Sequence, residues 1–308
     1  MIYNGNKERF PFTSISQFPS GNLISTDSLS IYIYDNNYNL LQKIKVFEIT
    51  KNFSPIILYI DAKDDNNFVI GCIDQSIKIY NKEGNIFKLK QDIQKAHERS
   101  VRKVIYDSKG NIISGSYDKK IKIWKKDIND AYINVNIIEN NDDEVRSLLL
   151  LEDKNILVSC GEMYTNFYDI KNNYKLIKSF NETYCRNKEL LERIDEDKII
   201  VAKTPSSLKI ISISELKVIK IIEFEFGCTA VKYIKDKNIF LVGGFRTQIK
   251  GGSSTIKVIR NDNYEILNTF YDMHSYAIEG FYVLKNGLIA SYSYDYIIRI
   301  WSLDLVYN

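Results

Sequence analysis

The chain has 308 residues, of which 44% are hydrophobic and 26% charged, and its formal net charge is +3. This composition excludes a disordered chain, and so small a net charge does not by itself indicate nucleic-acid binding. No apolar run approaches the roughly 18 residues of a membrane-spanning helix, and the N-terminal sequence lacks the apolar core of a secretory signal. We therefore expect a soluble cytoplasmic protein, with the nucleus as an alternative location.

The sequence consists of seven copies of one unit. Each copy contains a short apolar run and then an alternating apolar segment that ends in an aromatic or aliphatic residue, as in SIYIY and KIKIW. The segments end at Tyr34, Tyr80, Trp124, Tyr168, Ile211, Ile259 and Trp301, at intervals of 46, 44, 44, 43, 48 and 42 residues. Short apolar runs separated by turn residues are typical of strands. We also predict a strand within residues 188–197, KELLERIDED, although that stretch resembles a helix.

Copies three and seven each carry a His, an Asp and a Trp, with 21 residues from His to Asp and six from Asp to Trp. These residues are His97, Asp118 and Trp124 in copy three, and His274, Asp295 and Trp301 in copy seven. They account for both histidines and both tryptophans of the chain. A buried carboxylate must be paired and a buried indole N–H needs an acceptor, so the recurrence indicates a structural hydrogen-bonded set.

These two copies resemble the WD-repeat family, whose units form the four-stranded blades of a β-propeller. The resemblance extends over the whole chain by spacing, and over copies three and seven by motif. It implies a hydrogen-bonded His–Ser–Asp–Trp set in each, and we assign the serines to Ser116 and Ser293, two residues before each Asp. It predicts an all-β fold over residues 1–308: a single domain that is a seven-bladed β-propeller of four-stranded antiparallel blades.

The two chain ends predict how the propeller closes. Only seven residues follow Trp301, too few for the outer strand of blade seven, whereas the first inner strand is expected near Phe12. We predict that residues 1–10 supply the missing outer strand and that residues 11–308 hold the seven repeats. This closure removes an open sheet edge that would favour aggregation.

The four cysteines are far apart in sequence and form no C-x-x-C pair, which argues against a zinc site and a disulfide framework. Cys72 and Cys160 stand where the repeat places serine. We interpret both as small buried replacements for serine without a redox role.

We predict no catalytic residue, no metal site and no cofactor, because both histidines belong to the structural sets and no H-E-x-x-H, G-x-S-x-G or Walker motif occurs. Glu144 and Glu279 at the channel mouth are the carboxylates on which an enzymatic alternative would depend. Phe245-Arg246-Thr247-Gln248 lacks the second arginine of the Phe-Arg-Arg-Gly motif of phosphoinositide-binding propellers. We therefore expect no nucleic-acid partner, no membrane insertion and no small-molecule substrate.

The resemblance also implies a partner-binding face, formed by residues that flank the first apolar position of each inner strand and by the residue before each turn Asp. An insertion in blade six adds two basic residues to that face. The candidate residues are Arg102, Tyr117, Glu144, Arg146, Arg246, Lys250, Glu279 and Tyr294. Arginine is suited to bidentate contacts with carboxylate or phosphate groups.

We therefore expect a non-enzymatic protein-interaction scaffold or adaptor that binds an acidic or phosphorylated segment of another protein. Three alternatives remain: a substrate-recognition subunit of a larger complex such as a ubiquitin ligase, arginines that are merely solvated, and an enzyme that uses rim carboxylates. The sequence does not identify the partner.

Overall fold

The computed structural model describes residues 2–4, 10–49, 55–139, 143–246 and 253–303. Within these ranges the chain forms 28 strands and two short 3-10 turns, Glu152–Lys154 and Lys235–Lys237. The strands form seven four-stranded antiparallel sheets, each built from strands that follow one another in the chain except in the last. The predicted fold class, an all-β propeller of seven four-stranded blades, is confirmed.

The chain divides into two compact units. The first unit comprises Thr13–Ser159 and Tyr168–Lys175, and the second comprises Met1–Phe12, Cys160–Phe167 and Leu176–Asn308. Blades one to three belong to the first unit except for Phe12, and blades five to seven belong to the second. The assignment of the whole chain to a single domain stays a prediction.

The first three blades have the following bounds. Blade one comprises β2 (Phe12–Gln17), β3 (Leu23–Asp27), β4 (Ser30–Tyr34) and β5 (Leu40–Lys45). Blade two comprises β6 (Ile57–Asp64), β7 (Asn67–Cys72), β8 (Ile77–Glu83) and β9 (Ile86–Ile93). Blade three comprises β10 (Val101–Tyr106), β11 (Ile112–Ser116), β12 (Lys120–Lys126) and β13 (Tyr132–Glu139).

Blades four to six continue the same order. Blade four comprises β14 (Ser147–Leu151), β15 (Ile156–Cys160), β16 (Thr165–Asp169) and β17 (Lys175–Phe180). Blade five comprises β18 (Leu191–Arg193), β19 (Lys198–Thr204), β20 (Ser207–Ser212) and β21 (Lys217–Glu223). Blade six comprises β22 (Gly227–Ile234), β23 (Ile239–Arg246), β24 (Ser253–Arg260) and β25 (Ile266–Tyr271). The strand predicted within residues 188–197 is β18, so that prediction is confirmed.

Blade seven is completed by the N-terminal strand. It comprises β26 (Ile278–Val283), β27 (Ile289–Ser293) and β28 (Ile297–Trp301), and β1 (Ile2–Asn4) pairs antiparallel with β28. In this pairing the backbone of Ile2 lies opposite Arg299 and that of Asn4 opposite Ile297. The predicted source of the outer strand is therefore confirmed.

The seven repeat ends identified in the sequence all lie on the third strand of a blade. In five blades the fourth strand shifts register against the third strand immediately before that end, at Tyr34, Tyr80, Trp124, Ile211 and Ile259. A bulge at this position increases the twist of an outer strand, whose other edge is unpaired. The recurring bulge is thus part of the repeat.

The hydrophobic core lies between neighbouring blades. In the first unit Phe18 of the blade one region stacks on Phe87 of blade two, with ring centroids 5.1 Å apart, and Phe68 stacks on Tyr80 at 4.8 Å. In the second unit the buried side chains of Leu241 and Ile256 from blade six join Ile278 and Ile289 from blade seven. Blade two contributes Phe68 to a cluster with blade one and Val69 to a cluster with blade three, because a strand alternates its side chains between two faces.

One prediction about the cysteines is wrong. In the second unit Cys160, at the end of β15, forms a disulfide with Cys185, 25 residues further along the chain. The N–H of Cys185 donates to the carbonyl oxygen of Gly161 at 2.9 Å, so folding brings the two backbone segments together. Cys72 is buried and free, as predicted, and burial raises the pKa of its thiol.

Candidate functional site

A chain of buried hydrogen bonds links the motif residues of blade three. Nδ1 of His97 lies 2.8 Å from Oδ2 of Asp118, and Nε2 lies 2.7 Å from Oγ of Ser114. The Nε1–H of Trp124 donates to the same Ser114 oxygen at 2.8 Å. Asp118 also accepts the N–H groups of Glu98 and Lys120, each at 3.0 Å, which fixes the loop that leads into the blade and the turn between β11 and β12.

The charge state of this set follows from its burial. Burial alone would raise the pKa of the Asp118 carboxyl, but the hydrogen bonds from His97 and from the two backbone N–H groups lower it to about 2. Burial lowers the pKa of His97 and outweighs the opposite effect of Asp118. A neutral His97 donates from Nδ1 to Asp118 and accepts the Ser114 hydroxyl at Nε2. Every polar side-chain group of this hydrogen-bonded set then has a partner. The set is therefore structural and leaves no group free for chemistry.

The serine assignments made from the sequence are wrong in both blades. Cross-strand register explains why: Trp124 lies opposite Ile112 and Lys122 lies opposite Ser114. Ser114 is therefore the diagonal neighbour of Trp124 on the same face of the sheet, within reach of its indole. Ser116 lies two residues further along β11. The sequence contains the correct signal, since Ser114 and Ser291 each follow their histidine by 17 residues.

Blade seven repeats the arrangement within the second unit. Nδ1 of His274 lies 2.9 Å from Oδ2 of Asp295, and Nε2 lies 2.8 Å from Oγ of Ser291. Trp301 donates to Ser291 over a longer 3.2 Å. Hydrogen bonds from His274 and from backbone N–H groups lower the pKa of Asp295 against the opposing effect of burial.

Ser116 and Ser293 have a different role, which is to tie the loop into the blade. The Oγ of Ser116 accepts the N–H of Asp118 at 3.0 Å and donates to the carbonyl of Arg99 at 3.1 Å. Ser293 makes the equivalent bonds to the N–H of Asp295 and the carbonyl of Tyr276. In blade three this contact holds the backbone of Arg99 beside the turn that carries Tyr117.

Three arginines of the first unit surround the ring of Tyr117, and we call this group, with Glu144, the arginine cluster. The guanidinium carbon of Arg102 lies 4.9 Å from the ring centroid, that of Arg146 5.3 Å and that of Arg99 5.7 Å. Cations within about 6 Å of an aromatic centroid are attracted by its quadrupole. The structure thus brings together Arg102, Tyr117, Glu144 and Arg146, four of the residues predicted from the sequence.

Glu144 neutralises part of this cluster. Arg146 donates to Oε2 of Glu144 from Nε at 3.2 Å and from Nη2 at 3.0 Å, so two of its N–H groups share one carboxylate oxygen. Arg99 donates from Nη1 to Oε1 of Glu144 at 3.1 Å and to the carbonyl of Tyr117 at 3.2 Å. Glu144 therefore occupies the position between two guanidinium groups that an external carboxylate or phosphate would take.

Arg102 differs from its neighbours. Its Nε is buried and has no hydrogen-bond partner among the described residues, and within those ranges no carboxylate forms an ion pair with it. The side chain is held by the face of Tyr117, from the turn after β11, while its own backbone lies on β10. A buried polar group without a partner needs an explanation, and a ligand that binds there would supply one.

Arg246 lies in a separate cluster, in the second unit. Its Nη2 donates to Oε1 of Glu225 at 2.8 Å, and its guanidinium carbon lies 4.8 Å from the centroid of Tyr271. Lys257 also binds Glu225, at 2.9 Å. Burial opposes ionisation of Glu225, but these two cations outweigh it and lower the pKa of its carboxyl. The positive charge of Arg246 is thus paired within the chain.

The remaining candidates have diverse surroundings. Tyr294, in the turn after β27, is half exposed, and its N–H donates to the carbonyl of Ala277. The carbonyl of Glu279 accepts a hydrogen bond from Nδ2 of Asn187 at 3.2 Å. Lys250 lies outside the described residues.

Sequence reasoning missed Arg99, the most exposed arginine of the cluster, with 58% of its side chain accessible. The family pattern directs attention to fixed positions on the inner strand, and Arg99 lies one position before that strand region begins. A usable signal is the spacing within HERSVR, which places two arginines three residues apart in the loop that leads into blade three.

The described residues contain no group of three or more His, Cys, Asp or Glu side chains arranged to hold a metal ion. Within the same ranges, no helix is long and apolar enough to cross a membrane.

Seven antiparallel four-stranded blades, stabilised in two of them by buried His–Ser–Asp–Trp chains, define a β-propeller. The family model "WD domain, G-beta repeat" matches residues 88–125, which end one residue after Trp124. The matched segment extends from β9 to β12 and holds the motif residues of blade three, so this part of the chain is similar to a WD repeat, and the seven four-stranded blades have the architecture expected of such repeats. A search of the curated proteins gave no match. WD-repeat propellers are in general non-enzymatic platforms for protein–protein interaction.

Proposed function

We propose that this protein is a non-enzymatic interaction scaffold that captures an acidic or phosphorylated segment of a partner protein at the arginine cluster. The observation that carries the proposal is Arg102, whose guanidinium lies over Tyr117 without an ion pair among the described residues. A phosphate or carboxylate contacted there gains a charge-assisted hydrogen bond in a half-buried setting, where such bonds are stronger than in water.

The surrounding side chains support this function. Tyr117 holds the guanidinium in place, which reduces the entropy lost on binding, and Arg99 extends the basic surface outward into solvent. Tyrosine and arginine are the residue types enriched at the energetic centres of protein interfaces. Glu144 competes with an incoming anion for Arg99 and Arg146, so it weakens and tunes the site.

The test is a quantitative pull-down with mass spectrometry from cell extract, in which wild type is compared with an Arg102→Glu/Arg146→Glu variant. A matched control is Arg186→Glu/Arg260→Glu: both residues are exposed arginines of the second unit, and Arg186 also lies over a tyrosine, at 4.7 Å from Tyr184. Thermal unfolding of all variants verifies that they are folded. We expect the cluster variant to lose a set of partners that the control retains.

A single-site comparison sharpens the test on any partner segment so identified. Arg102→Ala is expected to weaken binding at least about tenfold, since hydrogen bonds to charged groups contribute about 1.5–3 kcal/mol. Glu144→Gln is expected to strengthen binding, because it removes the negative charge that competes with the ligand for Arg99. Identical partner lists for wild type and the Arg102→Glu/Arg146→Glu variant would overturn the proposal.

A further inference from the structure

A groove lies in the first unit at the opposite end of the blade strands from the arginine cluster. It has a cavity volume of about 830 Å³, within the range of ligand-binding clefts, and its walls come from blades three and four. The turn after β10, the segment after β14 and the turn after β16 surround it. Arg102 is the second residue of β10 and Asp107 of the groove follows its last residue, so the two sites are about 17 Å apart along the strand.

The groove has an apolar floor. Ile113 and Ile123 of blade three form its base and are almost completely buried, and Leu150 and Ile170 of blade four line the opposite wall. Val135 projects from β13 with 48% of its surface exposed. It is the extra residue of the bulge in that strand, because Asn134 pairs with Trp124 and Asn136 with Ile123. A bulge of this kind re-aims a side chain, and here it presents Val135 to the groove.

The groove is lined by three lysines and two carboxylates and is therefore net positive. Lys109, Lys125 and Lys171 line it, are exposed, and form no ion pair among the described residues. The two acidic side chains of the lining are engaged by nearby turns. Asp107 accepts the N–H and the side-chain amide of Asn111 at 2.7 and 2.6 Å, and Glu152 accepts the N–H of Ser108 at 2.7 Å.

The groove also offers an unpaired strand edge. β13 is the outer strand of blade three, so one side of its backbone has no neighbour within the sheet. Extended peptides bind such edges through backbone hydrogen bonds and place alternate side chains in adjacent pockets.

We propose that this groove binds an extended acidic segment of a partner protein, whose aliphatic side chains contact Val135, Leu150 and Ile170 and whose carboxylates contact the three lysines. Charge complementarity with Lys109, Lys125 and Lys171 selects an acidic occupant, and the accessible apolar surface of Val135, Leu150 and Ile170 selects an aliphatic one. The site is independent of the arginine cluster and gives the scaffold a second point of attachment.

The test uses fluorescence anisotropy with a fluorescein-labelled nine-residue peptide in which glutamate alternates with leucine and isoleucine. Two comparison peptides replace the glutamates by lysine, or the leucines and isoleucines by serine. We expect the acidic aliphatic peptide to bind, and both comparison peptides to bind at least tenfold more weakly.

Two matched pairs of variants locate the binding. Lys125→Glu is expected to weaken binding at least fivefold, and Lys95→Glu, the same charge change at an exposed lysine outside the groove, is expected to leave it unchanged. Val135→Asn is expected to weaken it, and Ile133→Asn is not, although Ile133 lies on the same strand and is 47% exposed.

The outcomes separate this proposal from the function proposed for the arginine cluster. Absence of binding by the acidic aliphatic peptide overturns the proposed groove site. The proposal is also overturned if the two variants of either pair weaken peptide binding equally. Loss of binding in Arg102→Glu but not in Lys125→Glu also overturns it, because the peptide then binds the arginine cluster instead.

Discussion

Ser114→Ala is the most direct test of the buried hydrogen-bond chain in blade three. Ser114 is completely buried, and its hydroxyl is the shared partner of Trp124 Nε1 at 2.8 Å and His97 Nε2 at 2.7 Å. The substitution removes one oxygen atom, so little cavity is created, but it leaves two buried polar groups without a partner. Each such group costs about 1–3 kcal/mol, and we expect a loss of about 3 kcal/mol in the free energy of unfolding.

The chain contains a matched control for this substitution. Ser25 lies opposite Tyr32 in blade one, as Ser114 lies opposite Lys122 in blade three, and it is also completely buried. Its hydroxyl, however, has no hydrogen-bond partner among the described residues. Ser25→Ala is therefore expected to change stability by less than about 0.5 kcal/mol, or to increase it, because an unsatisfied hydroxyl is removed from the core.

A third variant tests the reassignment of the motif serine. Ser116→Ala removes bonds to the N–H of Asp118 and the carbonyl of Arg99, and we expect a loss of about 1 kcal/mol. The assay is urea-induced unfolding followed by tryptophan fluorescence and by circular dichroism. Equal losses for Ser114→Ala and Ser25→Ala, or a larger loss for Ser116→Ala than for Ser114→Ala, would refute the reasoning.

Three further predictions concern closure, pH and the disulfide. Deletion of residues 1–10 removes β1 and leaves β28 without its outer neighbour, so the melting temperature should fall; an unchanged melting curve would contradict the closure. Stability should decrease as the pH falls below about 6.5. The cause is that His97 takes up a proton in the unfolded chain but not when it is buried in the folded protein, where its pKa is lowered. A His97→Gln variant should be less stable at about pH 7, but its melting temperature should depend less on pH between about pH 6.5 and 5. Reduction of the Cys160–Cys185 bond, which closes a loop of 25 residues, should cost about 3 kcal/mol, and a Cys160→Ser/Cys185→Ser variant should not respond to a thiol reductant in the same melting assay.

The repeat could be found in the sequence because each copy must form the same four strands. Alternating apolar residues near Tyr34, Tyr80 and Trp124 recur with nearly the same period. Such a period is visible in the sequence itself, without information on which distant residues are in contact. The His, Asp and Trp of the buried set could be found for a related reason. Histidine and tryptophan each occur only twice in the chain, and both copies place an aspartate at the same distance from them.

The serine of that set and the disulfide depend on contacts that spacing does not show. Ser114 and Ser116 are both buried on one face of β11, and only the register with β12 decides which of them meets the indole of Trp124. Cys160 and Cys185 are brought together by the packing of two loop segments that share no motif.

The candidate sites show the same division. The repeat pattern predicts that Arg102 and Arg146 occupy equivalent positions of adjacent blades and that Tyr117 directly precedes the turn residue Asp118, because these positions follow from the repeat. The ion pairs of the arginines follow from the folded structure: Arg146 pairs with Glu144, Arg246 pairs with Glu225, and Arg102 pairs with no carboxylate among the described residues. Strand patterning is a local property of the chain, whereas ion pairing depends on which side chains folding places within a few ångströms of one another.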